Sequence, residues 1–194
     1  MSSDLAVVNE ALVRIGVPPI ASFSEQSAQA LTAQTIYRNV VDELIADHPW
    51  YFALREVTLA KLEVDDEDRW YRGYKYVYQL PSDAMRILGL RSLDRYELAG
   101  DQLYTDDRHG DLVYIRQRGA EAWPPHFRRL AVFELAAAFA MTLTDSANRA
   151  QMMQNEAARY RPRARAIDSQ QTPPQVFNLM RIYTRRSTNP LAQS

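Results

Sequence analysis

Hydrophobic positions recur at two different periods along this chain, and the change of period divides it. Leu5, Val8, Leu12 and Ile15 stand at three- and four-residue steps, which predicts an amphipathic helix capped by Ser3 or Asp4. Gly16 supplies its stop, and Pro18 and Pro19 prevent it from continuing. Ser22 followed by Glu25 fits a capping box, so a second helix is expected from about Glu25 to Asp47. Ala33, Tyr37, Val40 and Leu44 form its stripe, and Pro49 ends it. From Tyr74 the period becomes two. Tyr74, Tyr76, Tyr78 and Leu80 alternate with Lys75, Val77 and Gln79, as in a strand with aromatics on one face. Met85 to Arg91, Tyr96 to Leu98, Leu103 to Thr105 and Leu112 to Arg118 are further short strands, separated by turn signals short enough to favour antiparallel pairing.

Helical spacing returns at Trp123-Pro124-Pro125. From Leu130 to Leu143 nearly every residue is apolar and Glu134 is the only charge. A helix apolar on all sides has to be covered on all sides. A membrane span would need roughly 20 apolar residues, and this run is shorter, contains Glu134 and follows Arg128 and Arg129. Asp145 or Ser146 caps the last helix, whose seam is Ala150, Met153, Ala157, Tyr160, Ala164 and Ile167, with Pro162 expected to kink or split it. These elements predict an α+β chain, mainly α. An antiparallel helix bundle around a central apolar helix takes residues 1–50 and 123–168. A small antiparallel β-meander, 51–122, is inserted into it, and an extended C-terminal arm, 169–194, follows.

Composition narrows the chemistry. With no cysteine there is no disulfide framework, thiolate nucleophile or cysteine-based metal site. The first residues lack the basic-then-apolar pattern of a secretory signal, so a cytoplasm is the expected place of synthesis. The overall charge of −1 hides an asymmetry: from Arg149 onward eight arginines face only Glu156 and Asp168, a net of +6 that leaves −7 for residues 1–148. Such a basic segment suits nucleic acid or an acidic protein surface, or is a solvated helix face with a flexible end.

Candidate reagents are few. His48, His109 and His126 lie in separate contexts, and no two stand at a two-ligand helical spacing. The six glycines are scattered, so none of them cradles a phosphate, and no cofactor is expected. The run Asp65 to Asp68 lacks the spacing and central glycine of a calcium loop. Trp50, Tyr51 and Phe52 with Trp70, Tyr71 and the strand tyrosines offer base-stacking rings, but aromatic strands more often serve a core or a protein interface. Nothing singles out a catalytic pair of carboxylates, and the chain reads as a protein without catalysis.

The arrangement of several of these stretches resembles that of one known family. Asn9 to Ile20 (NEALVRIGVPPI) is followed by Asp42 to Ala60 (DELIADHPWYFALREVTLA) and by the tyrosine strand ending YQLPSDAMRI, Tyr78 to Ile87. Then come Gly100 to Asp106 (GDQLYTD), Leu112 to Gln117 (LVYIRQ) and the alanine-rich helix opening WPPHF. In order and spacing the set resembles the tail tubular protein A family, the head-to-tail adaptors of short-tailed bacteriophages, over roughly Leu5 to Asp168. The resemblance implies a non-catalytic virion protein made in the host cytoplasm. It also implies a dodecameric ring joining the portal protein to the tail nozzle protein, with genomic double-stranded DNA passing through its lumen unbound and no membrane involved. A neck or connector protein of a long-tailed phage would share the ring-forming role. A DNA-binding regulatory module using the basic C-terminal segment is the alternative from another class, and a hydrolase with unrecognised carboxylates ranks last.

The stretch after Asp168 matches no family. Pro173 and Pro174 exclude a continuous helix there and favour an extended start. Phe177, Leu179, Ile182 and Tyr183 are candidate apolar anchors, with Arg181, Arg185 and Arg186 available for carboxylates of the portal or a neighbouring subunit. The other reading of the arm is a tail folded back on its own helices.

Overall fold

A computed structural model describes residues 3–63, 73–144 and 146–171. The chain divides into two compact units, Met1–Ala53 with Arg118–Gln171, and Leu54–Gln117.

The first unit is helical. Helix α1, Ser3–Arg14, buries Leu5, Val7, Val8, Ala11 and Leu12. It ends as expected at Gly16, whose φ of 75° suits glycine. There Val17 N–H reaches Leu12 O and Gly16 N–H reaches Val13 O, the paired bonds of a Schellman end. Asp4 does not act as the cap. Its carboxylate accepts from the Tyr37 hydroxyl at 2.8 Å and from Ala120 N–H at 3.0 Å. Burial and that bond to Asp4 push the Tyr37 hydroxyl well above its ordinary pKa. Helix α2, Ala28–Asp47, begins later than expected, because Ser27 and not Ser22 is its cap. Glu25 bonds instead to Ala21 N–H at 2.8 Å, so the expected capping box closes a separate turn.

Helix α3, Pro125–Leu143, buries Phe127, Leu130, Leu135 and Phe139 completely, each contributing roughly 1.5–3 kcal/mol. It packs against α1, α2 and helix α4, Ala147–Ser169. Ser146 caps α4 by accepting from Arg149 N–H, and the helix runs through Pro162 without splitting. Ala150, Met153, Ala157 and Ala164 are its buried seam.

The second unit is built from strands β1 Leu54–Thr58, β2 Tyr76–Gln79, β3 Ala84–Leu90, β4 Tyr96–Ala99, β5 Gln102–Thr105 and β6 Asp111–Arg116. They form two antiparallel sheets, ordered β1-β6-β3 and β2-β5-β4. Leu59, Tyr78, Ile87, Leu90, Leu103, Leu112 and Tyr114 draw on both sheets to make one core.

The expected mainly α architecture is therefore corrected to a mixed α/β one: about half of the described residues are helical, and the strands are two sheets, not a single meander. Two physical features explain the error. The strands enclose a hydrophobic core of their own, so they are more than an insertion on a helical body. Helix α3 is also not wrapped on every side. Glu134, Ala138 and Met141 stand at four- and three-residue steps, forming a face that stays partly open, and Met141 is 66% exposed.

Two predictions concern the sheets. A Cβ on Gly110 would lie 2.6 Å from the Tyr78 ring, at a φ of 67°. That ring cannot swing aside, because its hydroxyl donates to the carbonyls of Asp107 and Arg108. Gly110→Ala should cost at least about 2 kcal/mol in urea unfolding, more than Gly100→Ala, where only strain of roughly 1 kcal/mol applies because nothing lies near the new methyl. The second prediction concerns Asp106, held below its ordinary pKa by the Arg95 guanidinium, whose Nε lies 2.9 Å from it. A depressed carboxylate stabilises fully above its unfolded pKa and loses that contribution as pH falls through the folded value. Asp106→Asn should thus be less stable than the parent above about pH 5, with the gap closing in acid.

A candidate interaction groove

Three helix faces of the first unit converge on a groove of about 530 Å³. Helix α2 contributes Val40, Glu43, Leu44 and Asp47 at the spacing of one helical face, α3 contributes Glu134, Ala138 and Met141, and α4 adds Gln154 and Arg161. The floor is aliphatic and the rim is mostly acidic.

Glu134, the lone charge of the apolar run, has its partner here. The Arg161 guanidinium bonds to Glu134 and lies 3.3 Å from Asp47, which also takes Arg165. The bond to Glu134, reinforced by the charges of Glu134, Asp47 and Glu43, outweighs burial and raises the Arg161 pKa further. With Arg161 38% and Asp47 39% exposed, solvent screens these pairs, and each contributes at most about 1 kcal/mol. Their effect is to fix the rim's geometry.

At its C-terminal end α4 is fastened by a buried carboxylate. Asp168, 3% exposed, accepts from Tyr51 N–H at 3.0 Å and lies 3.3 Å from His126 Nε2 and 4.0 Å from His48 Nε2. Trp50 is buried beside it, donating to Leu44 O at 2.9 Å, with its ring 4.9 Å from Phe127. Two of the three histidines are thus brought together although nothing in their spacing links them. The arrangement resembles an acid–base dyad, but Asp168 and His126 are buried, His48 is half-buried, and none of them lines the groove. Its chemistry is that of a latch joining α4 to the end of α2 and the start of α3. Among the described residues no three His, Asp or Glu side chains are grouped as metal ligands.

The seven anchors expected of the arm, Phe177, Leu179, Arg181, Ile182, Tyr183, Arg185 and Arg186, lie outside the described residues, as do Asp65 to Asp68, Trp70 and Tyr71. The residues that sequence reasoning missed are Glu43, Asp47 and Asp168. No local signal marked them; Glu134, a charge within an apolar run, pointed only to a cation, which is Arg161. Among the described residues no helix is long and apolar enough to cross a membrane. No protein-family model matches the chain, and no curated protein matches it either.

The latch makes a direct prediction. Asp168→Ala leaves the Tyr51 N–H and His126 without their acceptor in a buried site, at a cost of about 2–4 kcal/mol. Urea unfolding followed by tryptophan fluorescence measures this, and a change within about 0.5 kcal/mol would show that the carboxylate fastens nothing.

Proposed function

We propose that this chain is a structural virion protein, a head-to-tail adaptor whose ring joins the portal protein to the tail nozzle of a bacteriophage. The observation that supports the reading is how the family-like motifs meet. Asn9 donates to Ile20 O and accepts from Ile20 N–H, both at 2.9 Å, closing the first motif on itself. Trp50 and Phe52 of HPWYFA pack edge-on and tilted against Phe127 of WPPHF, with ring centroids 4.9 and 4.7 Å away. Asp83 of the YQLPSD stretch accepts from the Tyr114 hydroxyl of LVYIRQ at 3.0 Å. Gln79 donates to Asp101 of GDQLYTD at 2.9 Å. Such contacts are what a shared scaffold requires of its motifs.

On this reading the ring is a dodecamer in the virion neck, assembled in the host cytoplasm, and genomic double-stranded DNA passes its lumen without specific binding. A DNA-binding regulatory module is less well supported. Arg149 donates to Ile15 O at 2.6 Å, and Arg161 and Arg165 hold Asp47, so these arginines of the basic segment are engaged within the helical unit.

Electron microscopy of the purified chain mixed with portal-containing particles tests the proposal, and a ring seated on the portal is the expected result. Removing the chain after Gln171 should leave helicity unchanged by circular dichroism and abolish that attachment. Tight, salt-sensitive binding of duplex DNA by the isolated chain would count against the adaptor and for the regulatory module.

A further inference from the structure

We infer that the groove between α2, α3 and α4 receives the C-terminal segment, residues 172–194, of a second copy of this chain. The inference rests on the adaptor reading and gives its subunit contact a location. Charge is the first argument. Glu43, Asp47 and Glu134 line the groove; Arg161 and Arg165 pair with Asp47 and Glu134, and Glu43 is the lining carboxylate that makes no ion pair among the described residues. The segment carries Arg181, Arg185 and Arg186 and no acid at all.

Shape is the second argument. Val40, Leu44, Ala138 and Met141 offer an aliphatic floor, and Met141 is 66% exposed on a helix that fully buries Phe127, Leu130, Leu135 and Phe139. Phe177, Leu179, Met180, Ile182 and Tyr183 are apolar side chains of the size such a floor takes, interleaved with the arginines that its rim would bind.

Chain direction favours a second copy over the chain's own segment. The segment follows α4 at Gln171 and starts Thr172-Pro173-Pro174. To enter its own groove it would have to turn back along α4 towards Arg161 before Phe177. Consecutive prolines fix φ and push the preceding residue to extended geometry, which opposes a reversal there. An arm from one copy in a groove on the next is a heterologous contact, which closes into a ring when the rotation between copies allows it.

The absence of cysteine makes a clean test. Full-length Met141→Cys and Phe177→Cys variants are mixed, oxidised and run on a non-reducing gel, beside the double variant and each single variant alone. Disulfide-linked pairs in the mixture, and a ladder from the double variant, are expected. Adding Glu43→Lys to the Met141→Cys chain should slow the linkage about tenfold. A bond formed only within one chain of the double variant would overturn the inference, because each arm would then fill its own groove. No bond, while rings are visible by electron microscopy, would overturn the groove and leave the ring standing. No bond from a chain that also forms no ring on portal-containing particles would sink both.

Discussion

A nearly buried carboxylate is tolerable only where its surroundings bond to it, and Asp168 sets that condition at the end of α4. Most of α4 is polar, and its seam is largely alanine, which buries little area per residue. Apolar burial alone would let such a helix slide on α3. Polar ties at defined points prevent this: Arg149 on the Ile15 carbonyl near the start, Arg161 on Glu134 and Asp47 in the middle, and Asp168 on Tyr51 at the end. Because α4 forms one wall of the groove, these ties also decide where Arg161 and Gln154 stand relative to Glu43 and Met141.

Some local signals were legible in the sequence, although the Ser22 capping box did not start α2, and signals that need a distant partner were not. Gly16 ends α1 as its position implied, and Ser146 caps α4, because both acts involve residues within one turn. Strand β1 escaped notice. Leu54, Arg55, Glu56, Val57 and Thr58 offer a weak alternation, and the strand exists because β6 pairs with it more than fifty residues away. The two sheets were read as one meander because short turns suggest pairing in sequence order. The register places β6 between β1 and β3, and β5 between β2 and β4. The open face of α3 was hidden by counting apolar residues: alanine at position 138 is apolar but small, so leaving it half-exposed costs little. The histidines of the latch are separated by 78 positions, and only tertiary folding could bring both to Asp168.

Several of the chain's polar side chains are committed to fixing local structure. Asn9 clamps Ile20, Asp83 receives Tyr114 and the Gln117 amide lies against its carbonyl, and Tyr78 closes the loop before β6. Each is committed to structure, which leaves the described surface few polar groups arranged to act together on a ligand. The groove is the exception, since Glu43 and Asp47 face the same space as an uncovered aliphatic floor.

Charge gives that surface a polarity. The +6 of the C-terminal quarter looks like one basic tract, but the helical unit divides it. Arg149, Arg161 and Arg165 are spent on carbonyls and carboxylates, and Arg159 stands 4.0 Å from Glu156 on the same helix. What remains is concentrated after Gln171, in a stretch with three arginines and no carboxylate, while the excess of acid lies before Arg149. In the proposed contact the basic segment of one copy meets an acidic groove on the next, an attraction between unlike surfaces that a two-fold pairing of identical surfaces would lack. Screening extends over only about 8 Å at physiological salt, so the attraction acts at contact range, and the aliphatic floor has to supply the rest of the affinity.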